Sequence, residues 1–498
     1  MVESHYNLAT NVREAASTSN ITFVANTGSK TFTKERIFSL SLGQARLIQK
    51  SGIRAGETVA VVGPTSVSLI TSLVGAWILG CNTCVLPHSE SLDAINTNSI
   101  RLVNDSQDIK LLFLGVKATP PLNVPTLRLD DTNLSAGPDR KIAAVTPLHQ
   151  QFTSGTTGPP QLHNVSHNLI ARNATDVAQR LGISSQDSIL SWLPLFHDMG
   201  FVGAFAFSLV YDVPLTLIQT NMFQRNPGIW LRTLSENSST ITLGPPSAYK
   251  FVSRYSSKRR IRNLDLSSWR VGLVGSEPIY MQDLSNIDNL SGAGASTVLV
   301  PCYGMAEATL AVTVAEPESP LQTFSSGNLG ETIVSSGMPL RNIEVKVKAA
   351  TKNTTPGHIY IKGPTITTTN SSGWFDTGDI GFINSGQLFV VGRHKETIII
   401  GGRNYDPKQL EEIALSVLRQ RSPKYRGRIA AFQLEPRSAA LVYEHESPDS
   451  ATIREITRSV KEGSGVQLAI CKSVQRGEVP LTTSGKVSRL SCRELITG

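Results

Sequence analysis

From Glu57 to about residue 220, short apolar runs alternate with stretches of helical period. A chain built that way closes its core as an α/β sheet with helices packed on its faces. "ETVAVVG" (57–63) predicts a buried strand, Pro64 to Gly80 a helix, "NTCVLP" (82–87) a strand and "KLLFLG" (110–115) another. The alternation predicts a mostly parallel sheet. "DSILSWLPLFHDMG" (187–200) and "STITLGPPSAYKFV" (239–252) continue it, each a strand running into a loop rich in Pro and Gly. In α/β sheets, loops at strand ends are where ligands bind.

Between about 315 and 375 the texture changes. "IEVKVK" (343–348), "GHIYIKGP" (357–364) and "GQLFVVG" (386–392) are short strands separated by turns, which predicts a β-rich layer, either a distorted barrel or a small sheet, packed on the α/β core. A compact module begins near Arg393. "ETIIIGG" (396–402) reads as a strand, and Asp406 and Pro407 supply the N-cap and first residue of a helix through "KQLEEIALSVLRQ" (408–420). Strands "IAAFQLE" and "AALVYEH", a helix from about Ser450 and a last helix through "SRLSCRELI" complete it. At 498 residues the chain is long for one core. The expected fold is a large N-terminal α/β body with a β-rich layer (1–393) and a small, mobile C-terminal α+β domain (394–498).

Composition narrows the class. Forty per cent hydrophobic and 17% charged residues describe an ordinary globular protein. No basic patch followed by an apolar run opens the chain, and "SLVGAWILG" (72–80) is far short of the ~20 residues of a membrane helix. A cytoplasmic protein without a membrane span is expected. The five cysteines suit free thiols in a reducing compartment. Cys81 and Cys84 form a lone C-x-x-C, read either as part of a buried strand or as a metal or redox pair. The net charge of +8 gathers in "SRYSSKRRIR" (Arg254, Lys258, Arg259, Arg260, Arg262) and "RQRSPKYRGR" (Arg419, Arg421, Lys424, Arg426, Arg428). Neither cluster is interleaved with base-stacking aromatics, so nucleic-acid binding is not expected. A solvated face and a docking site for an acidic protein both remain open.

"QFTSGTTGPPQLH" (151–163) reads as a phosphate loop. Thr153, Ser154, Gly155, Thr156, Thr157 and Gly158 offer backbone N–H groups and hydroxyls with few bulky side chains between them. Taken alone such a loop is more often just a turn, because Gly155 and Gly158 lack P-loop spacing and no lysine follows. Its company narrows the choice. "WLPLFHDMG" (192–200), "VGSEPI" (274–279), "PCYGMAEATL" (301–310), "GWFDTGDIG" (373–381), "VGRHKETIIIGGRNYDP" (391–407) and "VPLTTSGKVSRL" (479–490) follow in order. Together these resemble the adenylate-forming superfamily of acyl-CoA synthetases, peptide-synthetase adenylation domains and luciferases. The wording is most similar to the fatty acyl-AMP ligases, which make an acyl-adenylate and pass the acyl group to the phosphopantetheine thiol of a carrier protein.

The resemblance implies ATP and Mg²⁺, a carboxylic-acid substrate, and a role for each motif. Thr153 to Gly158 would cover the β- and γ-phosphates. Gly275, Ser276 and Glu277 would border adenine, Tyr303 would stack on it, and Gly304, Met305 and Ala306 would continue that wall. Glu307 would hold the metal, whose ordinary partners are oxygen ligands. Asp379 would accept hydrogen bonds from the ribose hydroxyls, and Arg393 would reach ribose or phosphate. Lys486 would be the catalytic lysine and Lys395 the hinge about which the C-terminal domain turns between half-reactions. His197 is either a core histidine or a wall of the acyl pocket; Asp198 has no role of its own. Trp192, Phe201, Phe205, Phe207 and Met222 are either tunnel lining or core. Three departures stand out: Gln161 where the family has lysine, an abbreviated stretch between "LAVTVAEP" and "SSGMPL", and Asp406 in place of an aromatic residue. The second bears on the choice between a carrier protein and coenzyme A, because in that branch an insertion nearby restricts domain motion. The remaining readings are an acyl-CoA ligase of the same fold and, from Gln161, a non-catalytic adenylate-binding protein.

Overall fold

The computed structural model describes residues 6–497 apart from 17–18, 89–96, 107, 116–121, 153–161, 260–263, 285–286, 288–297, 326–331, 349–355, 401–402, 436–437, 447–448 and 482–486. The alternating strands form two sheets where the sequence suggested one. Thr58–Val62, Asn82–Leu86 and Ile109–Leu114 lie in a six-stranded sheet, parallel to one another. Ile189–Ser191, Leu215–Ile218, Ile241–Gly244 and Val271–Val274 form the parallel centre of a nine-stranded sheet. Its edges turn antiparallel: Gly28–Thr33 closes one, and Ala311–Val314 with Met338–Pro339 closes the other.

Both faces of the six-stranded sheet are covered. Val59, Val61, Leu111 and Phe113 join the main core, while Ala60, Val62, Leu112 and Leu114 pack into a second cluster on the opposite face. Continuous apolar runs such as "VAVV" reflect burial on both sides. The main core also takes in the inner strands of the nine-stranded sheet and helix Val67–Ile78, every residue of which is buried. Cys84 lies fully buried in strand Asn82–Leu86, and burial pushes the Cys81 thiol up to about 12. That environment supports the strand reading of the C-x-x-C pair.

The β-rich layer is a four-stranded antiparallel sheet, Glu344–Lys348, Gly357–Lys362, Phe375–Asn384 and Gln387–Arg393. A single 3₁₀ turn, His394–Glu396, follows it. Beyond that turn the apolar packing changes partners: Ile398, Leu410, Leu441 and Ile456 form one cluster, and Phe432, Val442, Val479 and Cys492 another. Helix Pro407–Arg421 starts as expected, with Asp406 accepting from the Lys408 N–H at 2.9 Å and proline in the first turn. Strand Leu468–Val474, parallel to Ser438–Glu444, is not among the strands the sequence predicts; its burial does not alternate cleanly along the strand.

This module touches the body through polar contacts. Asp283, 4% exposed, sits between Lys250 Nζ at 2.6 Å and Lys408 Nζ at 3.0 Å. Burial works against its charge, but the two ammonium groups outweigh that and hold its pKa below the ordinary value. Lys408 also lies over the Tyr280 ring at 4.2 Å, and the Tyr280 hydroxyl donates to Asp406 Oδ2 at 2.6 Å. The departure at Asp406 thereby has a structural account: a carboxylate can cap its own helix and bind Tyr280 at once.

Candidate active site

Strands Leu148–Phe152 and Leu162–Ser166 pair antiparallel, so the 153–161 stretch joins the two arms of a hairpin. Thr153 to Gly158 and Gln161 lie outside the described residues. Both arms meet one segment. On the first arm, the Gln151 amide donates to the Thr309 carbonyl at 3.2 Å. On the second, His163 Nε2 lies 3.7 Å from Glu307 Oε1.

The 303–310 segment is held in a conformation its residues do not favour. Thr309 is fully buried with φ +69°, in the left-handed region that a β-branched side chain avoids. Its hydroxyl donates to the Thr365 carbonyl at 2.9 Å. The Glu307 carbonyl accepts from both the N–H and the hydroxyl of Thr367, at 2.8 and 2.9 Å. Gly304 is required by space: a Cβ there would lie 1.7 Å from the Leu310 carbonyl oxygen. Backbone strain maintained by several bonds concentrates at functional sites.

Across from Glu307, Asp379 is 6% exposed, accepts the Tyr303 hydroxyl on Oδ2 at 2.7 Å and pairs through Oδ1 with Arg393 Nε at 3.1 Å. The "DTGD" stretch forms a turn that carries Asp379. Gly378 has φ +71° and donates its N–H to Asp376, while the strand bulges there against Gly357–Lys362. Such a bulge re-aims side chains. Burial and then the Asp379 charge push the Tyr303 hydroxyl well above its usual range, so it stays protonated and donates. Burial disfavours the Arg393 charge, but Asp379, Glu396, Tyr303 and Glu307 together raise its pKa.

The "VGSEP" loop borders the same region. Ser276 is left-handed at φ +69°, and Glu277 accepts from the Ser247 hydroxyl at 3.0 Å, away from Asp379. An apolar cleft opens beside Tyr303, Gly275 and Ser276 and runs between helix His167–Leu181 and the nine-stranded sheet, past Gly203 and Leu310, to Leu181, Ile183 and Val314. Asp198, Met199 and Phe207 line it. His197 stands one residue outside this lining. Its Nδ1 lies 2.6 Å from Asp198 Oδ1 and 3.3 Å from the Met199 N–H. The Met199 N–H also donates to Asp198 Oδ1 at 2.7 Å. Asp198 thus lies directly against the imidazole.

The other aromatic candidates fall in the core. Trp192 stacks on Phe223 at 3.7 Å, Phe201 on His149 at 3.4 Å, and Phe205 on Trp77 at 6.0 Å. Met222 packs against the same core from a partly buried position. Met305 and Ala306 are buried behind Glu307. Lys395 is exposed in the middle of the His394–Glu396 turn. Lys486 lies outside the described residues, but Leu481 and Val487 on either side of its segment pair antiparallel. Arg489 then ties that base to the turn, donating to Glu396 at 2.8 Å and to Glu411 at 2.9 Å. Gln151, His163 and Thr309 carried no signal in the sequence, because they act through contacts across the fold and not through a motif spacing.

Glu307 fits a magnesium ion of the kind that keeps substrate and water oxygens. It is a hard oxygen ligand, its side chain is 24% exposed, and it faces the hairpin. Among the described residues no group of three His, Cys, Asp or Glu side chains forms an all-protein metal cage.

A family model described as AMP-binding enzyme matches residues 12–369. A relative in Mycobacterium tuberculosis that carries the name of a fatty-acid–CoA ligase is 26% identical, over 94% of this chain and 92% of its own. The medium-chain-fatty-acid–[acyl-carrier-protein] ligase of Moorena producens is 26% identical, over 69% of this chain and 66% of its own. A solved structure from studies of fatty acyl-adenylate ligases of E. coli and L. pneumophila superposes with a TM-score of 0.87 at 22% identity, covering 100% of this chain and 98% of that one.

Proposed function

The chain belongs to the AMP-binding enzyme family, and from that premise we propose that it is an ATP- and Mg²⁺-dependent acyl-AMP ligase that loads a carrier protein in the cytoplasm. The observation that carries this reading is the convergence of the two hairpin arms on Glu307 and Thr309, with Tyr303, Asp379 and Arg393 opposite and an apolar cleft leading away. A polar cradle for a nucleotide and a narrow apolar pocket meet at one point, where a carboxylate must face an α-phosphorus. The names of the relatives support a fatty acid as substrate, and the relative named for acyl-carrier-protein ligation supports the carrier.

In the first half-reaction a carboxylate oxygen attacks the α-phosphorus, the bond to the bridging oxygen of the β-phosphate breaks, and pyrophosphate leaves. The acid needs no base, being ionised at neutral pH. Two anions must be brought together, so charge neutralisation is the main task. Glu307 would hold Mg²⁺, which would supply positive charge to offset that of the phosphates. The Asp379 carboxylate, held by Tyr303 and Arg393, would accept the ribose hydroxyls. Lys486 supplies a point charge against the carboxylate and α-phosphate. In the second half-reaction the carrier's thiolate sulfur attacks the acyl carbon and AMP departs, after residues 394–498 turn about Lys395.

Carboxylate-dependent exchange of pyrophosphate into ATP tests the first step: a non-catalytic binding protein gives none with any acid. Thiol competition tests the second: rapid AMP release with coenzyme A, and none with a holo-carrier, would replace the carrier reading with an acyl-CoA ligase. Gly203 tests the cleft. A Cβ there would lie 3.1 Å from Leu310 Cδ2 and 3.3 Å from Leu243 Cδ1, so Gly203→Val narrows the neck. Exchange with a long-chain acid is expected to fall about tenfold relative to a short one. An unchanged ratio would remove the cleft from the acyl path.

A further inference from the structure

The basic stretches at 253–262 and 419–428 stand outside the candidate site, yet the fold brings part of each to one place. Helix Pro246–Arg259 carries Lys250 and Arg254 one turn apart, and helix Pro407–Arg421 carries Glu412 and Arg419 two turns apart. Lys250 Nζ lies 3.5 Å from Glu412 Oε1, which sets the helices against each other and Arg254 near Arg419. Burial, followed by the like charge of Arg254, lowers the Arg419 pKa. Two cations from opposite sides of the 394–396 turn thus lie close enough to feel each other's charge.

Some of the second cluster is neutralised within the module. Arg421 pairs with Glu455 at 2.6 Å and Arg428 with Glu444 at 3.4 Å. Arg254, Lys424 and Arg426 are exposed and make no ion pair among the described residues. Phe251 is 46% exposed three residues before Arg254, with its ring edge against Phe223 at 6.1 Å. An exposed aromatic side chain beside arginines is the make-up of a protein-docking surface. The helix that carries it begins at the candidate site, where Ser247 bonds Glu277. Arg254 lies seven residues further on, about 10 Å along the axis.

We propose that the face shared by helices 246–259 and 407–421, centred on Arg254, Phe251 and Arg419, docks an acidic surface of the protein that carries the acceptor thiol. This rests on the reading that the acceptor is protein-borne. Because its halves lie on either side of the turn, the surface is complete only in orientations that keep the two helices together, and docking is coupled to orientation.

The test uses the full chain with Arg254→Glu and Arg419→Glu together, an acidic holo-acyl carrier protein, coenzyme A, and pantetheine as an uncharged thiol. The expected result is a rise of about tenfold or more in the carrier KM at low ionic strength, with pyrophosphate exchange and pantetheine acylation unchanged. Added salt should weaken carrier loading by the wild type and not by the variant. A wild-type carrier KM in the variant overturns the docking face and leaves the proposed function standing. A wild type that acylates coenzyme A and no carrier overturns both. If the double reversal also lowers exchange, Arg254→Gln with Arg419→Gln decides: lost salt dependence of loading supports the face, and wild-type salt dependence overturns it.

Discussion

Lys486→Ala is expected to lower carboxylate-dependent pyrophosphate–ATP exchange by about two to three orders of magnitude while ATP still binds. The expectation follows from what the rest of the site lacks. The hairpin stretch 153–161 contains no lysine, Glu307 is anionic, and Arg393 is engaged by Asp379. The negative charge that builds between carboxylate and α-phosphate therefore needs a cation from elsewhere in the chain. Lys486 occupies a short segment whose ends pair at Leu481 and Val487 and whose base Arg489 ties to Glu396 in the 394–396 turn. On the proposed role, removing the ammonium deletes a contact made in the transition state, so kcat should fall with little change in the dissociation constant for ATP. Single-turnover adenylation together with equilibrium nucleotide binding separates the two, and exchange at the wild-type rate would end the assignment.

Asp379→Ala is expected to lower kcat/KM for ATP by about a hundredfold or more, with the KM for the acid unchanged. Hydrogen bonds to charged groups contribute about 1.5–3 kcal/mol each, and on the proposed role the carboxylate would accept two from a ribose. The substitution also strands Tyr303 and Arg393, which now bond it at 2.7 and 3.1 Å. Asp379→Asn keeps one acceptor oxygen and should fall between the two. Thermal unfolding run alongside distinguishes nucleotide recognition from simple loss of structure. A variant with a normal ATP KM would show that Asp379 serves only to hold Tyr303 and Arg393.

Local chemistry was legible in the sequence, and long-range assembly was not. The strands at 58–62, 82–86 and 109–114 and the capped helix at 407–421 follow from apolar runs, an aspartate and a proline. Their division between two sheets does not, since period and propensity are the same whichever sheet a strand joins. At the site, Asp379 and Tyr303 could be marked from their motifs, but their bond to each other spans 76 residues. Gln151 and Thr309 are 158 apart, and neither residue type suggests a partner. The aromatic residues near 192–207 divided by direction: Phe207 faces the cleft, whereas Phe201 and Phe205 turn into the core on adjacent turns of a π-helical stretch. Only placement in three dimensions separates them.

The Asp283 cluster has a consequence for turnover. A seam closed by apolar side chains would expose them each time it parted, at about 25 cal/mol for every Å² uncovered. Between Asp283, Lys250, Lys408, Tyr280 and Asp406 the seam is closed by charges and a hydroxyl. Water can take over each of these bonds as the surfaces part, and Asp406 keeps its hold on the Lys408 N–H in either case. For the rotation proposed here, such a seam works as a reusable fastening: it fixes one orientation, releases into solvent without baring a sticky surface, and closes again on the same partners.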